Sequence, residues 1–437
     1  MRKNPGESPG SDFDYLAPGA SGGIRGRFNQ LINLRTFTSF RNPVFRIYYG
    51  ALLGQMAAMN MQMFARMWLM KELTESPLIA GATAFANAIP LLCLSLFGGV
   101  IADRVQKKYV MLIGQAASAI IAIVVAITLS LGYLSPDVSG SYWILIVTSI
   151  FQGTIMALMM PSRQAILPEI VGEEQLMNAV SLNTFGMNTL RIFAPALTGF
   201  LITPLGYDGV YYIMAGMYVI SVIFILFLPR TSTTTVGGSG ALDDIKEGLR
   251  YLRGQRTIIL ILVITLVAVL LSMSYMYLLP FIAEDVLGVG TAQGGLLISI
   301  SGVGAIVGSI VLASLPNRKR GLMLLASCFL LGLALAGFAF STHWYLALAL
   351  MIFVGLGQTG RMTLSNTLVQ YYVEDEYRGR VMSIYMMEFG LTSFGTFAAG
   401  AMAESIGPQW AIGGFAMVLV VFSILAMVFI PSVRRLD

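Results

Sequence analysis

The sequence predicts an all-α membrane protein of twelve transmembrane helices in two six-helix bundles. Three observations lead there. First, 56% of the 437 residues are hydrophobic, 11% are charged and the mean hydropathy is +0.77, whereas a soluble domain carries about 25% charged residues. Second, the apolar residues fall in twelve continuous runs, each near the roughly 20 residues a helix needs to cross a bilayer. Third, basic residues lie almost wholly on one side of the resulting zigzag.

The first six runs lie at about 46–70, 77–101, 109–133, 142–162, 179–203 and 208–229. The second six lie at about 257–281, 291–315, 321–341, 344–369, 381–404 and 409–431. The runs are continuous rather than alternating, which excludes a β-barrel. Helices remain, since the backbone must satisfy itself in hydrocarbon. Residues 1–40 are rich in Gly, Ser, Pro and Asp and are expected to form a disordered tail. They lack the apolar core of a secretory signal, so the first run is expected to stay in the membrane.

With both termini cytoplasmic, 23 of the 27 basic residues fall on the cytoplasmic side and Lys71 alone on the other. Three, Arg66, Arg191 and Arg361, lie within spans. This positive-inside bias sets the orientation of a multi-pass cell-membrane protein. It also accounts for the net charge of +5 without nucleic acid. The domains are a tail (1–40), an N-terminal bundle (41–229), a cytoplasmic linker (230–256) and a C-terminal bundle (257–437). The linker opens TSTTTVGGSG, a flexible stretch, then places Leu242, Ile245, Leu249 and Leu252 on one helical face. An internal repeat supports the division: at an offset of 202, Phe151 and Gly153 align with Phe353 and Gly355, and Ser181 with Ser383.

Between the second and third runs stand Gly98-Gly99-Val100-Ile101-Ala102-Asp103-Arg104-Val105-Gln106-Lys107-Lys108. This resembles the loop 2–3 signature of the major facilitator superfamily, with Gly99, Asp103, Arg104, Lys107 and Lys108 matching and Gln106 replacing its second glycine. The resemblance implies the major facilitator fold. Small residues permit close helix approach, and a carboxylate at a helix end can meet a facing arginine or helix N-terminus. Those five residues are therefore expected to form a conformational latch favouring an outward-facing state. Arg41–Arg46, Pro161–Ala165 with Pro168 and Glu169, and Arg378–Ser383 are similar to the twelve-span exporter branch, which includes enterobactin-type siderophore and macrolide exporters. Two departures stand out. Ser149 takes the arginine's place in the fourth-span R-x-x-Q-G pattern of proton-coupled antiporters. Ala194–Gly199 keeps only the proline and last glycine of the fifth-span pattern GP-x-x-GG.

Ionisable groups inside spans are costly and mark function. Arg361 and Glu388 lie at matching depths of roughly 12–13 Å in consecutive antiparallel spans, so they are expected to approach within about 12 Å. Glu388 is the candidate proton site. Thr184, Asn188 and Arg191 share a face and are expected to line the cavity and meet an anionic substrate group. Arg66 shares a face with Gln55, Met59 and Gln62 and is expected to snorkel to the outer interface. In the resembled family the first, fourth, seventh and tenth spans line the cavity. This makes Gln55, Met59, Gln62, Gln152, Met156, Met273, Tyr277, Gln358 and Arg361 candidate substrate contacts.

The expected function is secondary transport of a small amphipathic drug- or siderophore-like molecule by alternating access, as a monomer in the lipid bilayer, with protons driving efflux. A proton-independent uniporter or importer and a transporter-like receptor are the alternatives. No G-x-x-x-x-G-K-[ST] phosphate loop points to an ATP-driven pump, and no catalytic constellation points to an enzyme. Cys93, Cys328 and His343 are the whole Cys and His complement, so no metal site and no cofactor are expected.

Overall fold

The structure is a computed structural model that describes residues 35–230, 241–316 and 318–436; at 35–37, 95–104, 174, 241–246 and 389 it describes backbone alone. The expected N-terminal tail lies outside the described residues, apart from its last few.

After a 3-10 turn, Arg35–Arg41, helix α1 runs from Pro43 to Thr74. Asn42 caps it by accepting from the Val44 and Phe45 amides at 2.9 and 3.4 Å, and Pro43 occupies the first helical position, where no amide is needed. Helices α2 (Pro77–Arg104) and α3 (Lys107–Ser130) follow. The stretch Trp143–Leu226 is interrupted only at Gly172 (φ 71°) and Gly206 (φ 70°), a left-handed φ that suits glycine. These breaks divide it into α4 (143–171), α5 (173–205) and α6 (207–226). The apolar runs place a loop, holding Arg163, between the fourth and fifth spans. Both helices instead extend past their apolar runs, and Arg163 is buried in α4 against the Met56 sulfur at 3.9 Å.

Helix α7 (Ala241–Leu252) connects the halves of the chain. Its docking face differs from the expected leucine stripe. Glu247 pairs with Arg380 at 3.1 Å, Gly248 packs on Arg380 and Ile384, and Tyr251 stacks on Tyr377 at 4.2 Å. Leu252 is buried but Leu249 is 49% exposed, and the side chains of Leu242 and Ile245 lie outside the described residues. The aromatic and basic partners of the Tyr377–Ile384 segment select the face.

The C-terminal half holds α8 (Arg256–Ser272), α9 (Tyr275–Phe281) with a π turn at Ile282–Val286, α10 (Thr291–Ser314) and α11 (Arg320–Phe340). It continues with α12 (Trp344–Tyr372), α13 (Arg378–Met386), α14 (Glu388–Ile406), α15 (Pro408–Phe429) and a last turn, Pro431–Arg434. Two runs read as unbroken are interrupted: the seventh at Met273–Ser274, the eleventh at Met387. Among the described residues the chain has no strand, and nine helical stretches are long and apolar enough to cross a membrane; one of them, Gln175–Leu226, spans 52 residues.

The repeat read from the sequence has a packing counterpart. A Cβ on Gly153 would lie 2.0 Å from the Asn87 carbonyl oxygen of α2, and one on Gly355 would lie 1.7 Å from the Ser301 oxygen of α10. Each glycine lets its helix touch the backbone of another, as small residues do within bilayers. Their neighbours Phe151 and Phe353 both face outward.

Candidate translocation site

The halves meet along two seams: α2 against α14, and α5 against α10. Both seams start at the end of the molecule opposite the termini. At the first, Gly400 packs on the Pro77 carbonyl and Gly81 on that of Thr396. At the second, Gly199 packs on the Thr291 carbonyl and Gly295 on that of Pro195, while the Thr291 hydroxyl donates to the Gly199 oxygen at 3.3 Å. Pro195 and Gly199 are the two residues that survive of the degraded fifth-span pattern, and both serve this contact. At the same end the Lys71 ammonium of α1 meets Glu284 at 2.6 Å and Asp285 at 2.8 Å, crossing between the halves.

The buried apolar residues follow the same division. The larger cluster runs through both halves. A smaller one, including Phe45, Tyr48, Met111, Ile166, Val171 and Leu182, lies at the end bearing the N-terminus and contains N-terminal-half residues alone. The halves therefore share a core at the far end, whereas the near end of the N-terminal half packs on itself.

The structure brings Arg361 and Glu388 together. The Arg361 Nη1 to Glu388 Oε1 distance is 3.9 Å, with side chains 3% and 7% exposed. That is an ion pair beyond hydrogen-bonding distance. Arg361 Nε and Nη1 have no hydrogen-bond partner. Glu388 opens α14 directly after the break at Met387. Tyr385, one turn earlier, shares a 2.9 Å hydrogen bond with Ser365 of α12. Gln358, one turn before Arg361, donates to the Met273 sulfur at 3.4 Å, at the α8–α9 break. Two interrupted helices thus converge on one buried charge pair.

The other candidate residues are distributed as follows. Gln55 and Gln152 are buried within the N-terminal half, bonded to Met159 at 3.8 Å and Ser118 at 3.4 Å. Gln62 is buried and accepts from the Tyr218 hydroxyl at 3.0 Å. Met59, Met156, Met273 and Tyr277 are partly buried. Thr184, Asn188 and Arg191 are exposed, and the charge of Arg191 acts on Tyr275 of the other half. Arg66 does not snorkel. It is 9% exposed, because α1 continues two turns beyond it and its charge acts on Tyr211, Tyr218 and Tyr277.

In the loop 2–3 motif, the side chains of Gly99, Asp103 and Arg104 lie outside the described residues. Lys107 pairs with Glu169 at 2.6 Å, and Lys108 donates to the Leu226 and Leu228 carbonyls at 2.8 and 2.5 Å. These contacts lie within the N-terminal half. Among the described residues no cluster of His, Cys, Asp or Glu is suited to a metal.

A family profile described as transmembrane secretion effector matches residues 34–437. The chain belongs to this family of the major facilitator superfamily. It is similar to the staphyloferrin A transporter of Staphylococcus aureus, at 24% identity over 84% of this chain and 89% of that one. It is also similar to the multidrug efflux pump Tap of Mycolicibacterium fortuitum, at 26% over 91% and 98%, and to the enterobactin exporter EntS of Citrobacter koseri, at 25% over 94% and 96%. Among solved structures, the nucleoside transporter NupG superposes with a TM-score of 0.67 at 16% identity, covering 88% of this chain and 98% of that one. A POT family transporter bound to 5-aminolevulinic acid gives 0.67 at 12%, covering 89% and 96%. The secretion-effector chain is thus a multi-pass membrane transporter of small molecules and not an enzyme.

Sequence reasoning missed three parts of this transporter's site. Lys71 was visible as the lone basic residue opposite the others, but its partners Glu284 and Asp285 lie over two hundred positions away. Tyr385 carried a signal in its helical spacing to Glu388. Tyr211 and Tyr218 carried none, because an aromatic in an apolar run reads as packing.

Proposed function

We propose that this transporter exports a small amphipathic molecule, of drug or siderophore type, by alternating access coupled to inward proton flow. In this reading the chain crosses a bacterial plasma membrane twelve times, as a monomer with both termini cytoplasmic. Nine stretches qualify as spans by length and apolarity. Counting Gln175–Leu226 as two passes, and adding Pro43–Thr74 and 378–406, gives twelve. Residues 41–229 and 257–437 form the two bundles, joined by the 230–256 linker. The arrangement, closed at Lys71 and at the glycine seams, is the inward-facing one. Gly99, Asp103, Arg104, Lys107 and Lys108 form the latch of the opposite state.

The observation that carries the coupling is the buried Arg361–Glu388 pair, 3.9 Å apart at a helix break. A carboxylate held by an unsaturated guanidinium can exchange its proton as the surrounding helices move. Gln358, Met273, Tyr277, Met156, Met59, Gln55, Gln62, Gln152, Arg66 and Arg191 line or flank the path, and methionines adapt to varied apolar shapes. The names of Tap and EntS, an efflux pump and an exporter, support the outward direction. The test is efflux of erythromycin or ethidium from cells expressing the full chain. We expect efflux to stop on adding a protonophore and in Glu388→Gln. A Glu388→Gln protein that still exports under control of the proton gradient would remove the proposal.

A second reading, proton-independent facilitated transport, is favoured by one observation. Where the antiporter pattern has its fourth-span arginine, Ser149 is buried, donates to the Leu145 oxygen at 2.6 Å, and its own carbonyl accepts from Asn87 at 3.0 Å. That position is given to helix contact, so any coupling must rest on the C-terminal half.

A further inference from the structure

Arg66 is buried between the halves, and among the described residues it makes no salt bridge. Its Nε has no hydrogen-bond partner. Beside it Gln62 Nε2, one turn earlier on the same face of α1, has no hydrogen-bond partner, and the Tyr211 hydroxyl of α6 donates to none. The Tyr211 oxygen interacts with the Arg66 side chain, which can only donate to it, so the hydroxyl proton is left over. The Tyr218 hydroxyl donates to Gln62 Oε1 at 3.0 Å. This fixes the amide so that its NH2 is the end left over. The cluster therefore holds three spare donors around one positive charge and offers no anion of its own. A buried, uncompensated guanidinium is costly, and within a membrane such a residue marks a ligand path.

We propose that Arg66, Gln62 and Tyr211 form a binding subsite for the carboxylate of the transported molecule. A guanidinium presents parallel N–H bonds that match a carboxylate's two oxygens. Tyr218 and Tyr277 supply flanking aromatic surface for the apolar remainder, and Tyr277 comes from the C-terminal half, so the ligand would touch both halves. The subsite lies about 7.5 Å along α1 below Lys71, five residues at 1.5 Å each. The Lys71–Glu284–Asp285 contact therefore closes over it. Sequence reasoning had assigned anion recognition to Arg191, which is exposed. The proposal rests on the transport reading for its substrate, and not on proton coupling.

The test is a thermal-unfolding series on the purified full-length protein in detergent, with phenylacetate, its neutral isostere phenylacetamide, and sodium chloride at matched ionic strength. Phenylacetate is expected to raise the melting temperature in a saturable way, with phenylacetamide and chloride giving no such rise. Arg66→Gln should abolish the rise, and Tyr211→Phe should weaken the apparent affinity several-fold. Arg66→Lys keeps the charge, tests the fork geometry if Arg66→Gln does not fold, and should also weaken binding. Equal shifts from acid and amide, an equal shift from chloride alone, or an undiminished phenylacetate response in the Arg66 variants would overturn the assignment. Because no gradient is imposed, these results are independent of whether export proves proton-coupled.

Discussion

Glu388 and Arg361 face each other without hydrogen-bonding, and the distance of 3.9 Å makes a specific energetic prediction. Removing one member of a buried pair strands the other and costs about 3–5 kcal/mol, whereas removing both can be nearly neutral. Arg361→Met should therefore lower the melting temperature of the purified protein, and adding Glu388→Gln should restore most of the loss. A double variant as unstable as the sum of the singles would show that the two groups do not interact. Both residues were legible in the sequence because charge is rare in these spans and their depths match. Arg66 was legible as a charge but not in its fate. Snorkelling depends on how far the helix continues and what faces it, and Tyr211, Tyr218 and Tyr277 come from distant segments.

Glycines with similar surroundings serve different ends at the scale of helices. Gly153 and Gly355 join helices within one half of the chain, whereas Gly199 and Gly295 join helices of different halves. Gly355→Val has no room beside the Ser301 carbonyl, so it should reduce the yield of folded protein. Gly295→Leu should leave yield intact and impair transport, because α5 and α10 need to meet only when the far end closes. Yield by size-exclusion chromatography and export rate on the same preparations separate the two. Failure of Gly295→Leu to fold would make that seam a structural core rather than a moving one. Helix positions were readable from apolar runs of the right length. The breaks at Met273–Ser274 and Met387 were not, since neither position holds a proline or glycine. The glycines that replace two expected loops, Gly172 and Gly206, are recognisable only through their positive φ.

Closure at one end is a property of the whole molecule, resting on two glycine seams and one salt-bridged lysine. Glu284 and Asp285 are about half exposed, so the pair with Lys71 contributes at most about 1 kcal/mol. Its role is then to bias an equilibrium rather than to hold the fold. Lys71→Glu should populate the outward-open state, increasing labelling of a cysteine introduced at Gln62 by a membrane-impermeant reagent from outside. Glu284→Lys with Asp285→Lys in the same chain should reverse the effect. Unchanged labelling in Lys71→Glu would assign closure to the seams alone. The central claim, transport driven by protons through the Arg361–Glu388 pair, is tested most directly in proteoliposomes with an imposed pH gradient. The purified full chain and its Glu388→Gln variant would be screened there against erythromycin, enterobactin, staphyloferrin A and ethidium. The account predicts that at least one compound accumulates in the direction opposite to proton flow, reverses when the gradient is reversed, and loses this dependence in Glu388→Gln. Transport at the same rate with and without the gradient would contradict it.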